Sequence, residues 1–108
     1  MIAVSTLAAC GGQRPVSFRA DVQPILDAKC VSCHPASYPY LDLRAGRAWA
    51  QLVRVPAATA SAYERVIPGN PELSYLLIHP PDPSRKHLLS GAERDTIAEW
   101  IRQGAPDN

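Results

Sequence analysis

The sequence predicts an all-α fold of about four helices joined by long loops. Three observations carry that expectation. Apolar residues recur at helical spacing in four separate stretches, and none of the chain alternates apolar with polar residues as a half-buried strand would. Residues that start and stop helices bracket those stretches. Eleven prolines in 108 residues leave much of the rest as loop. A chain of this length is one domain, and it buries only about two-thirds of its unfolded surface. With one Phe, two Trp and four Tyr, it is short of material for an apolar centre of its own.

In the first helix, Phe18, Val22, Ile25, Leu26 and Lys29 fall on one face. Pro24 constrains where this helix begins, because a proline deep inside loses a hydrogen bond and clashes with the carbonyl four residues back. A start near Arg19 to Asp21 places Pro24 in the first turn and runs the helix from about 20 to 30. A second stripe, Ala45, Trp49, Leu52 and Val53, ends before Pro56. Residues 57–69 read as a loop closed by the Ile67-Pro68-Gly69 turn. Asn70-Pro71-Glu72 has the order cap, N1 proline and first-turn acid, with Leu73, Leu76 and Leu77 as the buried face and a stop by Pro80-Pro81. The last helix opens on a Ser90/Glu93 capping box, turns Ile97, Trp100 and Ile101 inward, and ends at Gly104 with Pro106 beyond. Trp49 and Trp100 are expected in the core.

The first helix ends on Cys30-Val31-Ser32-Cys33-His34. C-x-x-C-H is the attachment signature of c-type haem. Two thiols at this spacing can form thioethers with the two vinyl groups, and the next residue brings its imidazole to the iron. Cys30 and Cys33 are therefore the expected attachment residues for one covalent haem c, and His34 its proximal iron ligand. The porphyrin would supply the missing apolar centre. A dithiol redox pair and a zinc site are the competing uses of two such thiols, and zinc would draw a fourth ligand from His79 or His87. Met1 is the only methionine, so a Met/His haem has no thioether ligand to use. The distal ligand expected is His87, just before the last helix, with His79 as the alternative and an open or water-bound iron as the third possibility.

The third cysteine has a different setting. Leu7-Ala8-Ala9-Cys10-Gly11 resembles the lipobox of bacterial lipoproteins, although no Lys or Arg precedes the apolar run. The expectation is a signal remnant at 1–9, lipidation at Cys10, a tether over 10–17 and a cytochrome c domain over 18–108. The apolar N-terminal run is too short to cross a bilayer. A lipid-anchored protein on the periplasmic side of a bacterial membrane, inner or outer, follows. Net charge is +1, which gives no reason to expect nucleic acid as a partner.

The order of parts resembles cytochrome c, with a helix leading into C-x-x-C-H, a loop-rich middle and an amphipathic last helix. Asp21-Val22-Gln23-Pro24-Ile25-Leu26 before the motif is similar to the start of bacterial cytochrome c domains found in lipoproteins and planctomycete-type proteins. Arg65 to Leu77 resembles their R-V-x-P-G-[DN]-P-x-x-S-x-L-L block, and Trp100-Ile101-Arg102-Gln103-Gly104-Ala105 their closing W-I-x-x-G-A. The resemblance implies a monohaem cytochrome c-like fold that carries single electrons between redox partner proteins and is not itself an enzyme. Many members place Met-Pro before the last helix, where this chain has none; some carry H-S-G-G near the place of His87. The alternative function is a haem-based sensor or small-ligand binder with an open sixth position. Arg44, Arg47 and Arg65 lie near the blocks expected to line the pocket, either as propionate partners or as solvated side chains.

Overall fold

Ser17 opens the first helical segment. Its Oγ accepts the Ala20 N–H at 3.0 Å, and Asp21 Oδ2 accepts the Ser17 N–H at 2.8 Å. Phe18–Val22 is a π-helical turn that runs into α1, Gln23–Lys29. In that turn the N–H groups of Val22 and Gln23 reach back five residues, to the carbonyls of Ser17 and Phe18. The helix thus begins earlier than expected, and Pro24 sits beyond its first turn. The one-residue widening just before Pro24 shifts the ladder where a regular α-turn would have set a carbonyl against the pyrrolidine ring.

The structure, a computed structural model, describes residues 14–78 and 89–108. Cys10, the segment 1–9, His79 and His87 lie outside the described residues. After α1 come α2 (Ala48–Leu52), β1 (Pro56–Ala57), β2 (Ala60–Glu64), a 3-10 turn (Pro71–Leu73), α3 (Tyr75–Ile78) and α4 (Gly91–Arg102). Ala45 precedes α2 and Val53 is extended after it, so the second helix is shorter than its apolar stripe.

The all-α expectation is corrected by the hairpin. β1 and β2 pair antiparallel, with Pro56 opposite Glu64 and Ala57 opposite Ala60, inside the span read as a loop. The sequence Ala60-Ser61-Ala62-Tyr63-Glu64 has neither alternation nor β-branched residues, so the pairing comes from its surroundings. Arg54 N–H donates to Val66 O at 2.9 Å, Arg65 N–H to Val55 O at 2.7 Å and Val66 N–H to Leu52 O at 3.1 Å. These bonds fold the chain back along itself after α2.

The third helix is also corrected. Ser74 splits it into a 3-10 turn and the four-residue α3. This buried serine donates from Oγ to Asn70 O at 2.8 Å and accepts the Ile67 N–H at 2.9 Å, while its own backbone is extended. Leu73 is consequently 53% exposed and not part of the buried face; Leu76 and Leu77 are half-buried.

The last helix forms as read. Both bonds of the Ser90/Glu93 capping box are present, and Ile97, Trp100 and Ile101 are buried. Gly104, at φ +103°, ends it in the left-handed region that glycine adopts without strain. Trp100 and Trp49 donate their indole N–H groups to Pro106 O and Ala105 O, each at 2.9 Å. The core joins Phe18, Val22 and Leu26 to Leu43, Leu52, Val66 and the inner face of α4, with the Phe18 and Trp100 rings 5.0 Å apart. Among the described residues no helix is long and apolar enough to cross a membrane.

Candidate cofactor site at the Cys30–His34 motif

α1 ends where the motif begins. Cys30 caps it, donating its N–H to Leu26 O at 2.8 Å. Its own carbonyl then accepts two N–H groups, from Cys33 at 3.1 Å and His34 at 3.0 Å. The Cys33 carbonyl accepts two more, from Ser37 and Tyr38, both at 2.9 Å. The motif is therefore a tight coil continuing from the helix. Further on, Leu43 N–H returns to His34 O at 3.3 Å.

Cys30, Cys33 and His34 all line one cavity of about 510 Å³. That volume lies within the roughly 300–1,000 Å³ of small-molecule and cofactor sites. Leu26 from α1, Leu41 and Leu43 after the motif, and Leu52 from α2 form the apolar wall beside them. Leu76, Leu77, Leu89 and Ile97 lie on the wall from α3 and α4, and Ala57, Ala58 and Thr59 bring the tip of the hairpin to it. The two thiols are not joined in a disulfide. Burial pushes the Cys30 thiol up to about 11, with Glu93 and Cys33 adding to the rise and Lys29 opposing it.

Tyr38 and Tyr40 were not singled out in the sequence. Their rings stand 5.3 Å and 6.3 Å from the His34 ring and 6.0 Å from each other, and both side chains are about half exposed. Their position close behind the motif was the available signal. Arg94, on the wall from α4, was missed too, although its spacing three and seven residues before Ile97 and Ile101 places it on the same face of that helix.

Of the three arginines considered beside the pocket, only Arg65 lines the cavity. Arg44 forms a two-bond contact with Asp42, Nε to Oδ1 at 2.9 Å and Nη2 to Oδ2 at 2.7 Å, and Arg47 lies 3.7 Å from the same carboxylate. The Arg44 guanidinium holds the Asp42 carboxyl down at about 2. Arg65 is buried, and its Nη1 and Nη2 donate to Gln51 O at 2.9 Å and Tyr40 O at 3.3 Å. Lys29 Nζ, on the wall, pairs with Glu93 Oε1 at 3.0 Å and so links the end of α1 to the cap of α4.

These residues fit a covalently held haem. Two thiols and an imidazole share the wall of a cavity that is otherwise mostly leucine, alanine and tyrosine. Among the described residues no group of three or more His, Cys, Asp or Glu is placed to hold a metal ion, and His79 and His87, from which a zinc site would draw its fourth ligand, lie outside them. The distal candidates His79 and His87 lie outside the described residues.

No protein-family model matches the chain, and no solved structure matches it. A stretch of 27 residues, 25% of this chain, is 63% identical to part of hydrazine synthase subunit alpha of Kuenenia stuttgartiensis. The chain spans 3% of that protein's length. What the sequence comparison shows is a short likeness to a planctomycete protein.

Proposed function

We propose that the chain is a monohaem c-type cytochrome that carries single electrons on the outer side of a bacterial cytoplasmic membrane. One observation carries this reading: Cys30, Cys33 and His34 lie together on the wall of an apolar cavity of cofactor size. Cys30 and Cys33 would hold haem c through thioethers and His34 would be its proximal ligand. His87, or alternatively His79, would be the distal one. Haem c supplies a one-electron iron couple when bound. The leucine wall keeps water from the ring and lowers the local dielectric, while the coil at Cys30–His34 fixes where the imidazole stands. Two imidazoles in place of Met/His ligation put the reduction potential below that of Met/His relatives. Cys10 would carry the lipid that holds the domain at the membrane. The stretch shared with a hydrazine synthase subunit supports a place for this domain within or beside a larger enzyme.

The test is production in cells with a working c-type maturation system, followed by denaturing electrophoresis stained for haem. Haem should stay with the wild-type chain and be largely lost from Cys33→Ala; its complete absence from the wild type refutes the reading. The absence of any methionine beyond Met1 favours one second reading, a sensor or small-ligand binder with an open sixth position. Visible spectra decide between them. A low-spin ferrous form that refuses carbon monoxide supports the carrier, with His87→Ala opening the site. A high-spin wild type that binds carbon monoxide supports the sensor.

A further inference from the structure

The β1–β2 hairpin is firmly held at its base and weakly built at its tip. At the base, Arg54 N–H donates to Val66 O at 2.9 Å and Arg65 N–H to Val55 O at 2.7 Å. The buried Arg65 side chain ties the same end to Gln51 O and Tyr40 O, and its carbonyl accepts the Leu76 N–H at 2.9 Å. Beyond the base the register jumps from Pro56 opposite Glu64 to Ala57 opposite Ala60. Ser61, Ala62 and Tyr63 bulge out between these pairs, with nothing opposite them on β1. Ala58 and Thr59 make the connecting turn. Neither has the positive φ of the type I′ and II′ turns whose twist matches that of paired strands. Ala58, Thr59, Ser61, Ala62 and Tyr63 are all exposed.

This weakly built tip is nevertheless part of the cavity wall, through Ala57, Ala58 and Thr59. Two contacts hold it down. Ala57 is buried, at 3% exposed. The Tyr63 ring lies 5.5 Å from the Tyr75 ring with an interplanar angle of 34°, and Tyr75 opens α3 and lines the same cavity. A segment with little buried surface and few bonds opens locally at a fraction of the cost of unfolding the domain. We propose that residues 57–63 form a flap that gates access of small solutes to the cavity holding Cys30, Cys33 and His34. Its hinge is the bulge above Pro56 and Glu64, and its latch is the stacking of Tyr63 on Tyr75. The base stays in place as the flap lifts, because Arg65 and Val66 are buried. The gate belongs to the cavity itself. Only its haem-loaded test rests on the function proposed above.

The test compares full-length wild type, Tyr63→Ala, Tyr63→Phe and the double variant Ala58→Asn with Thr59→Gly, which supplies the residues a two-residue hairpin turn favours. Elastase cuts after small residues and reports opening. Its first cuts should fall within 57–63, and Tyr63→Ala should be cut about two- to tenfold faster for the loss of one aromatic pair. Tyr63→Phe keeps the ring and should match wild type, while the double variant should be cut more slowly. The second readout is reoxidation of the haem-loaded ferrous protein by dioxygen, which takes one electron and leaves as superoxide. Its rates should follow the same order. Unchanged cleavage in Tyr63→Ala overturns the flap. Faster cleavage with unchanged reoxidation overturns the gate, since the tip then covers nothing. If Tyr63→Ala is cut throughout the chain it has unfolded, and the double variant decides: both rates slowed support the flap, and both unchanged overturn it. A wild type without covalent haem overturns the cytochrome reading alone. Alkylation of Cys30 by iodoacetamide then replaces reoxidation, and equal rates across the four chains overturn the gate.

Discussion

Cys30 offers a quantitative test, because its environment differs sharply before and after haem attachment. In the unloaded chain, burial raises its thiol from 9.0 to about 11. Two pH units mean about 100-fold less thiolate at pH 8 than in an unfolded chain, and the thiolate is the form that alkylates. Cys30 in folded, haem-free Cys33→Ala protein should therefore react with iodoacetamide about 100-fold more slowly than in the same protein in urea. The reaction should gain rate up to about pH 11. The same shift acts on stability. A raised pKa in the folded state means that its contribution is fully present below pH 9 and is lost as pH rises through about 11. The loss should approach about 3 kcal/mol and be absent from a Cys30→Ser control. Mass spectrometry of alkylated peptides and urea titrations across pH 8–11 measure the two effects. Equal alkylation rates in folded and unfolded protein would refute the buried-thiol argument. In the haem-loaded protein a thioether has no proton to lose, so neither effect should be seen.

Three further outcomes follow from particular contacts. Leu26 is fully buried and stands between the core and the cavity, so Leu26→Ala should destabilise by about 3 kcal/mol in denaturant titration. Ser90→Ala removes the acceptor of the Glu93 N–H and should cost about 1 kcal/mol, lowering the Tm by about 4–8 °C in a calorimetric scan. Asp42 has its carboxyl lowered from 3.8 to about 2 by Arg44, so the stability it contributes is present above pH 4 and is lost as pH falls toward 2. Arg44→Ala should flatten that part of an acid-unfolding curve.

The parts of the fold legible in the sequence are those whose signal is local. The Ser90/Glu93 box, the inner face Ile97, Trp100 and Ile101, and the stop at Gly104 depend on neighbours within one helix. The apolar face of the first helix was legible for the same reason, although its true cap at Ser17 was not, because Pro24 drew the expected start inward. The hairpin was invisible because Ala60 to Glu64 carries no pattern, and bonds from Arg54, Arg65 and Val66 to distant carbonyls impose its shape. The split at Ser74 was likewise hidden. A serine inside a helical pattern tells nothing of itself until Ile67 and Asn70 are seen to hold its hydroxyl.

In the candidate site the motif residues were legible and most of their surroundings were not. Cys30, Cys33 and His34 were marked by spacing, and the structure brings them to one wall. The hairpin tip, Tyr38 and Tyr40 reach that wall only through tertiary folding. Arg44 and Arg47 looked equivalent to Arg65 in the sequence, yet Asp42 draws both of them to itself. Which arginine meets the cavity is decided by where the carboxylate lies, and helical spacing carries no information about that.

The central claim is that Cys30 and Cys33 hold a haem covalently, and the intact mass of the protein tests it most directly. Protein purified from cells with a c-type maturation system should be heavier than the mature polypeptide, with any Cys10 lipid accounted for, by the mass of one haem. Neither motif cysteine should alkylate after denaturation. A chain of polypeptide mass whose Cys30 and Cys33 both alkylate in urea would contradict the account.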